Sequence, residues 1–256
     1  MNIVKDLLTI NPYSRPGTKL GKVTKIAVHY VGNPGTTMQA NRDYFESLKT
    51  GKRNKAGQLI YASSHYIIGL DGEVIQCIPE TEISYATNQA NPYSISIECC
   101  HPAADGKFTA AAERSMVVLC ADLCKRYKLD PLRDIIRHYD VTGKCCPKYY
   151  VDHPEAYEAM RQRVRGLMGL GIDTTIDVVR RHGDCYTVAM QCKDKPVIYP
   201  GTAGVVTVCP PFPHAGGWRA NIVAIGRPGE STGIYTRLPD QGEADGVLRF
   251  EFKIVE

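Results

Sequence analysis

The sequence predicts an α/β domain, a sheet covered by helices, followed by a small all-β domain. Three observations carry this. Strand-like and helix-like runs alternate from residue 25 to about residue 167. Helix signals stop at a glycine cluster, Gly166-Leu167-Met168-Gly169-Leu170-Gly171. Short β-branched runs separated by Gly, Pro and Asp turns then fill the chain to its end.

Taken in order, residues 25–30 (KIAVHY) are apolar and β-branched and read as a buried strand, closed by the loop 31–35. Thr37 is the expected N-cap of a helix reaching about Leu48, because its hydroxyl can accept from a free backbone N–H of the first turn. The polar stretch 49–58 reads as a loop. Residues 64–69 and 73–78 read as paired strands around an Asp71-Gly72 turn. Residues 95–99 alternate apolar and polar, as a strand does. Thr109 opens a long helix to about Tyr127, with Ala110, Val117, Val118, Leu119, Ala121 and Leu123 expected on its apolar face. A short strand at 134–138 and a helix at 154–167 complete the first domain, set at 1–168. The second domain, 172–256, draws strands from 174–179, 185–190, 205–208, 220–225 and 248–254.

Composition narrows the classes. At 256 residues the chain is long enough for one α/β domain and a small second one. The net charge is +4, and the excess lies in residues 1–166, which hold 22 lysines and arginines against 17 acidic residues. That suits an anionic polymer, but no dense basic run points to nucleic acid. No run of 18 apolar residues predicts membrane insertion, and the N-terminal segment, with Asp6 and two early prolines, does not read as a signal peptide. The ten cysteines include two adjacent pairs, Cys99-Cys100 and Cys145-Cys146, and most of them read as reduced thiols of a protein made in the cytoplasm. Cys120 and Cys124, four apart on the long helix, read as small core residues.

His29, His138 and Cys146 stand at or just beyond the ends of expected strands. Two imidazoles and a thiolate are good zinc ligands and leave a fourth position open, but the spacing matches no zinc-finger rule and does not decide the matter. The words around them do more. IAVHYVG, SSHYIIGLDGEVIQCIPE, NPYSISIECC and RHYDVTGKCCPKYY occur in this order. Together they resemble the type 2 N-acetylmuramoyl-L-alanine amidases, a family that includes phage endolysins and is related to the peptidoglycan recognition proteins. The resemblance covers roughly residues 20–165.

The resemblance implies a mixed central sheet and a hydrolase that cuts the amide between N-acetylmuramic acid and L-alanine in peptidoglycan, with Zn2+ as cofactor. It implies His29, His138 and Cys146 as ligands, Cys146 rather than Cys145 because it directly precedes the proline. It implies Glu98 and Lys144 as catalytic groups. Some family members carry a catalytic tyrosine where this chain has Ser64, which shifts the base role onto Glu98. Tyr30, Asn33, Tyr85, Asn88 and Thr142 fall in loops expected to border the substrate. His65 is expected to be structural or to support the site.

The second domain resembles no family and is expected to bind the cell wall, through a wall carbohydrate. Trp218 is expected either to plug its core or to stack on a sugar. An endolysin released through a holin is the expected setting. The rival readings are a non-catalytic peptidoglycan-binding protein, disfavoured by Cys146, and a metal-independent cysteine hydrolase using Cys146 and His138.

Overall fold

A computed structural model describes residues 2–174 and 176–256, which form two compact units dividing between Arg161 and Gln162. No helix among the described residues is long and apolar enough to cross a membrane.

The first unit is built on one six-stranded sheet. Its elements are β1 (Ile3–Lys5), β2 (Lys25–Tyr30), α1 (Met38–Ser47), β3 (Tyr66–Ile68), β4 (Val74–Gln76), β5 (Ser94–Cys99), α2 (Ala110–Tyr127), α3 (Pro131–Asp134), β6 (Ile135–Arg137), α4 (His138–Thr142), α5 (Lys148–Asp152) and α6 (Pro154–Gly169). The strand order is β1-β4-β3-β5-β2-β6. Only the β3–β4 pair is antiparallel, so the sheet is mixed, as expected.

β2 sits between two parallel neighbours and is buried on both faces, which explains its unbroken apolar run. β5 alternates instead. Ile95, Ile97 and Cys99 enter the core on one face, while Ser94, Ser96 and Glu98 line the other. That second face meets a buried polar layer. Ser84 and Ser96 share a hydrogen bond of 2.7 Å, and the Ser96 N–H donates to His65 Nδ1 at 3.0 Å. The opposite nitrogen, Nε2–H, donates to the Glu82 carbonyl at 2.9 Å. His65 is therefore a satisfied structural histidine, at the entry to β3 rather than within a strand.

The helix starts follow the sequence reading. Thr37 and Thr109 each accept a backbone N–H at the third position, from Ala40 and Ala112. On α2 the buried face is Ala112, Met116, Val117, Leu119, Cys120, Ala121, Leu123 and Cys124; Ala110 and Val118 turn away from it. The β3–β4 turn needs Gly72, whose φ is +83° and whose added Cβ would lie 2.7 Å from the Ala111 carbonyl oxygen. None of the ten cysteines is in a disulfide.

The last strand of the first unit is shorter than the sequence predicts. Residues 134–138 form a strand only from Ile135 to Arg137, and His138 is the first residue of α4. The Arg137 N–H donates to Asp140 at 2.8 Å, which satisfies the helix entrance and stops the strand.

The second unit is all-β apart from the end of α6 and one short 3-10 turn. Its strands are β7 (Gly171–Ile172), β8 (Val178–Arg181), β9 (Cys185–Gln191), β10 (Val197–Pro200), β11 (Val206–Val208), β12 (Phe212–His214), β13 (Gly217–Ala224), β14 (Ser231–Arg237) and β15 (Val247–Val255). They form two sheets, β10-β14-β15-β8 and β11-β13-β9-β7, with β12 beside β13. Val188, Met190 and Ile222 of one sheet share a core with Ile198, Ile234, Phe250 and Phe252 of the other. The strand expected at 174–179 begins only at Val178, and Thr175 lies outside the described residues. Trp218 is partly buried against this core.

Candidate metal centre and active site

Register sets the first pair of the site. β2 and β5 run parallel with His29 opposite Glu98, so both side chains leave the same face of the sheet. His29 Nδ1 lies 4.0 Å from Glu98 Oε1. The loop before β5 covers this face and brings Thr87, whose hydroxyl lies 2.9 Å from His29 Nε2. Thr87 is itself pinned, because Asn91 Oδ1 accepts the backbone N–H groups of Ala86 and Thr87 at 3.1 and 2.6 Å.

The other two donors arrive after β6, the strand on the far side of β2. His138 opens α4, and its ring meets that of His29 edge-on at 4.8 Å between centroids. The Cys146 carbonyl accepts the Tyr139 N–H at 2.9 Å, which ties the cysteine loop to α4. Arg137 bonds Asp140 and the Tyr150 carbonyl and stacks over Tyr157, fixing the start of the helix that carries His138. Cys146 Sγ comes within 3.7 Å of His29 Nδ1. The ligand atoms of His29, His138 and Cys146 all lie within 4.8 Å of one another, and all three residues are buried.

This cluster fits a divalent metal ion. Two imidazoles and a thiol are a donor set for a borderline-soft cation. The electrostatics agree. Burial, followed by the neighbouring His138 and Lys144, holds His29 well below its usual pKa. Burial and Lys144 also lower His138. Both rings therefore stay neutral, which is the ligating form. Burial pushes the Cys146 thiol up to about 12, so it keeps its proton until a cation displaces it. A buried thiol of that kind is also a poor nucleophile, which argues against the cysteine-hydrolase reading.

Glu98 lies beside the cluster, across the register from His29. Burial pushes its carboxyl up to about 8, against the opposing charge of Lys144. Its Oε2 is buried and has no hydrogen-bond partner, while the side chain as a whole keeps 16% exposure. Lys144 is exposed, yet its charge acts on His29, His138 and Glu98 together. Ser64 is fully buried and donates to the Tyr66 carbonyl at 2.7 Å.

The expected substrate residues are placed unevenly. Tyr30 ends β2, and its ring stacks on His101 with centroids 5.0 Å apart. Gly106 makes room for it, since an added Cβ would stand 3.1 Å from the Tyr30 ring. Burial and the nearby Cys146 raise the Tyr30 hydroxyl pKa. Thr142 bonds the His138 carbonyl at 3.2 Å and receives the Lys144 N–H at 3.3 Å, so it shapes the turn that carries Lys144. Asn33 and Asn88 are exposed, and Tyr85 packs edge-on against Tyr61. Among the described residues, no hydrogen bond, ion pair or ring contact joins these three side chains to the ligand cluster.

Two contributors escape the sequence reading. Thr87 lies in a loop where no periodicity marks it. His101 is 1% exposed and fixed by a 2.7 Å bond between Nδ1 and the Ala103 carbonyl.

The family model described as N-acetylmuramoyl-L-alanine amidase matches residues 19–149. The chain is 35% identical over 181 residues to the N-acetylmuramoyl-L-alanine amidase CwlL of Bacillus licheniformis, covering 66% of this chain and 48% of that one. It is 32% identical over 181 residues to the N-acetylmuramoyl-L-alanine amidase BlyA of Bacillus subtilis, covering 63% and 46%. The chain thus spans about half the length of these relatives. A solved mutant endolysin from Bacillus subtilis superposes with a TM-score of 0.51 at 25% identity, covering 63% of this chain and 99% of that one. With the family model spanning half the chain and the ligand cluster inside the match, the chain belongs to the N-acetylmuramoyl-L-alanine amidase family.

Proposed function

We propose that the chain is a zinc-dependent N-acetylmuramoyl-L-alanine amidase of the endolysin type. It cuts the amide between N-acetylmuramic acid and the first L-alanine of the peptidoglycan stem. The observation that carries this reading is the convergence of three buried donor atoms within 4.8 Å beside an unpartnered carboxylate oxygen. The zinc assignment rests on the His, His, Cys donor set.

His29, His138 and Cys146 would hold the ion. When bound, zinc supplies Lewis-acid chemistry that draws electron density from the scissile carbonyl. Glu98 accepts the proton of the attacking water at its carboxylate and returns it to the departing alanine nitrogen. Burial, which raises the Glu98 carboxyl, favours the return of the proton to the leaving nitrogen. Lys144 stabilises the negative charge that grows on the carbonyl oxygen. Tyr30, Asn33, Tyr85, Asn88 and Thr142 border the groove for glycan and peptide. The second unit anchors the enzyme to the wall and raises its local concentration there. Release from the cytoplasm through a holin accounts for access to the wall.

Purified protein incubated with cell walls tests this reading. New L-alanine amino termini without new reducing sugars, lost on chelation and restored by zinc, are expected. Digestion that survives chelation but stops with a thiol blocker would establish a cysteine hydrolase instead. Wall binding without new termini would establish a recognition protein.

A further inference from the structure

The pairing of β14 with β15 is interrupted once. Ile234 faces Phe250 and Tyr235 faces Leu248, which leaves Arg249 without a partner residue in the ladder. An extra residue of this kind re-aims its side chain. Arg249 is turned onto the side of Thr236, a core-facing residue with no exposure, and its Nε donates to the Thr236 hydroxyl. A guanidinium is thereby carried into the end of a β-sandwich otherwise lined by Phe250, Phe252 and Ile234.

This cation is not neutralised. No carboxylate lies within ion-pair distance of Arg249 among the described residues. Its Nη2 is buried and has no hydrogen-bond partner. The one titratable group whose charge it feels is Cys192, whose own thiol is pushed up by burial and so is neutral at neutral pH. Burial lowers the guanidinium pKa to about 10. An arginine held this way costs stability, and replacement by an apolar residue of similar size commonly restores it. The side chain is not sealed, since Arg249 keeps partial exposure. A costly, re-aimed cation with an unused donor edge is what an anion-binding group looks like before its ligand arrives.

We propose that Arg249, presented by the β14–β15 bulge and braced by Thr236, is an anion-binding site of the second unit. Its ligand is an oxyanion with two oxygens in reach of one guanidinium edge. On a cell wall this chemistry belongs to the phosphodiester of an anionic wall polymer or to a stem-peptide carboxylate. The site rests on the wall-binding reading of the second unit and is independent of the amidase chemistry.

Trp218 is the sole tryptophan and packs in the second unit, so its fluorescence follows the unfolding of that unit in the full chain. Melts are recorded in phosphate, acetate and chloride at equal ionic strength, for wild type and Arg249→Met. Phosphate or acetate is expected to raise the wild-type midpoint over chloride and to leave the variant unmoved. The variant should melt no lower than wild type in chloride. Arg249→Lys, which keeps the charge but not the fork, should lose affinity on the order of 10-fold or more. Equal anion responses in wild type and Arg249→Met, or no response in either, would overturn the site.

Wall retention is then measured on native walls and on walls stripped of phosphate polymers by hydrofluoric acid. Retention lost by stripping and by Arg249→Met names the phosphodiester. Arg249-dependent retention that survives stripping names the carboxylate. Equal retention of wild type and variant on both preparations would overturn the proposal. No retention of either protein, with the anion-specific shift intact, would sink the wall-binding reading and leave the anion site standing.

Discussion

The Thr87 hydroxyl holds His29 through Nε2 at 2.9 Å, which leaves Nδ1 as the nitrogen facing Cys146 and Glu98. A ligating imidazole whose second nitrogen is held by a hydrogen bond has its ring orientation set before the metal arrives. Thr87→Ala is therefore expected to weaken metal binding by about 10- to 100-fold while the fold persists. Competition against a chelator of known strength measures this. An unchanged affinity would remove Thr87 from the centre.

Glu98→Gln separates chemistry from assembly. The substitution keeps the shape and removes a carboxyl whose Oε2 has no partner, so stability should hold or rise. Turnover should fall by about 100- to 10,000-fold with metal content unchanged. Release of L-alanine termini and metal analysis on the same preparation provide both readings. Loss of metal together with activity would make Glu98 a structural support instead.

The polar layer under the site makes stability depend on acid. His65 is fully buried, and burial lowers its pKa to about 4 despite the opposing bond to the Glu82 carbonyl. Between about pH 6.5 and pH 4 the unfolded chain binds the proton and the folded one does not. The His65 contribution to the stability of the first unit is then complete above about pH 6.5 and is lost as pH falls to about 4, by roughly 3 kcal/mol. Urea midpoints across that range should show this slope, and a His65→Gln variant should show a shallower one, His29 and His138 supplying the remainder. The same slope in the variant would place its origin elsewhere.

Gly72 is held to glycine by both conformation and space, with φ +83° and the Ala111 carbonyl oxygen 2.7 Å from where a Cβ would stand. Gly72→Val should destabilise the first unit by about 2 kcal/mol or more. Gly143, also at positive φ but with nothing within 4 Å, should lose less on the same change. Thermal unfolding of the two variants compares them directly, and equal losses would mean that crowding by α2 plays no part.

Much of this molecule was legible in its sequence because each readable feature has a local cause. Thr37 and Thr109 cap their helices by side-chain bonds to the chain just ahead. The apolar run of β2 follows from burial on both faces. The order of the four motif segments carries the ligand set into one place, since β2, β5 and β6 are neighbours in the sheet. What was not legible depends on distant partners. α3, α4 and α5 have four or five residues, too few to show a helical period. Thr87 acquires its role only when the loop before β5 folds over His29. β10 and β14 carry glycine, proline or polar residues that blur the alternation, and Arg249 is re-aimed by a bulge that no local pattern announces.

Zinc K-edge X-ray absorption on the purified, zinc-loaded chain tests the central claim most directly. The account predicts one sulfur at about 2.3 Å and two imidazole nitrogens at about 2.0–2.1 Å. The sulfur should vanish in Cys146→Ser and persist in Cys145→Ser. A first shell without sulfur, or a sulfur that follows Cys145, would contradict the centre described here.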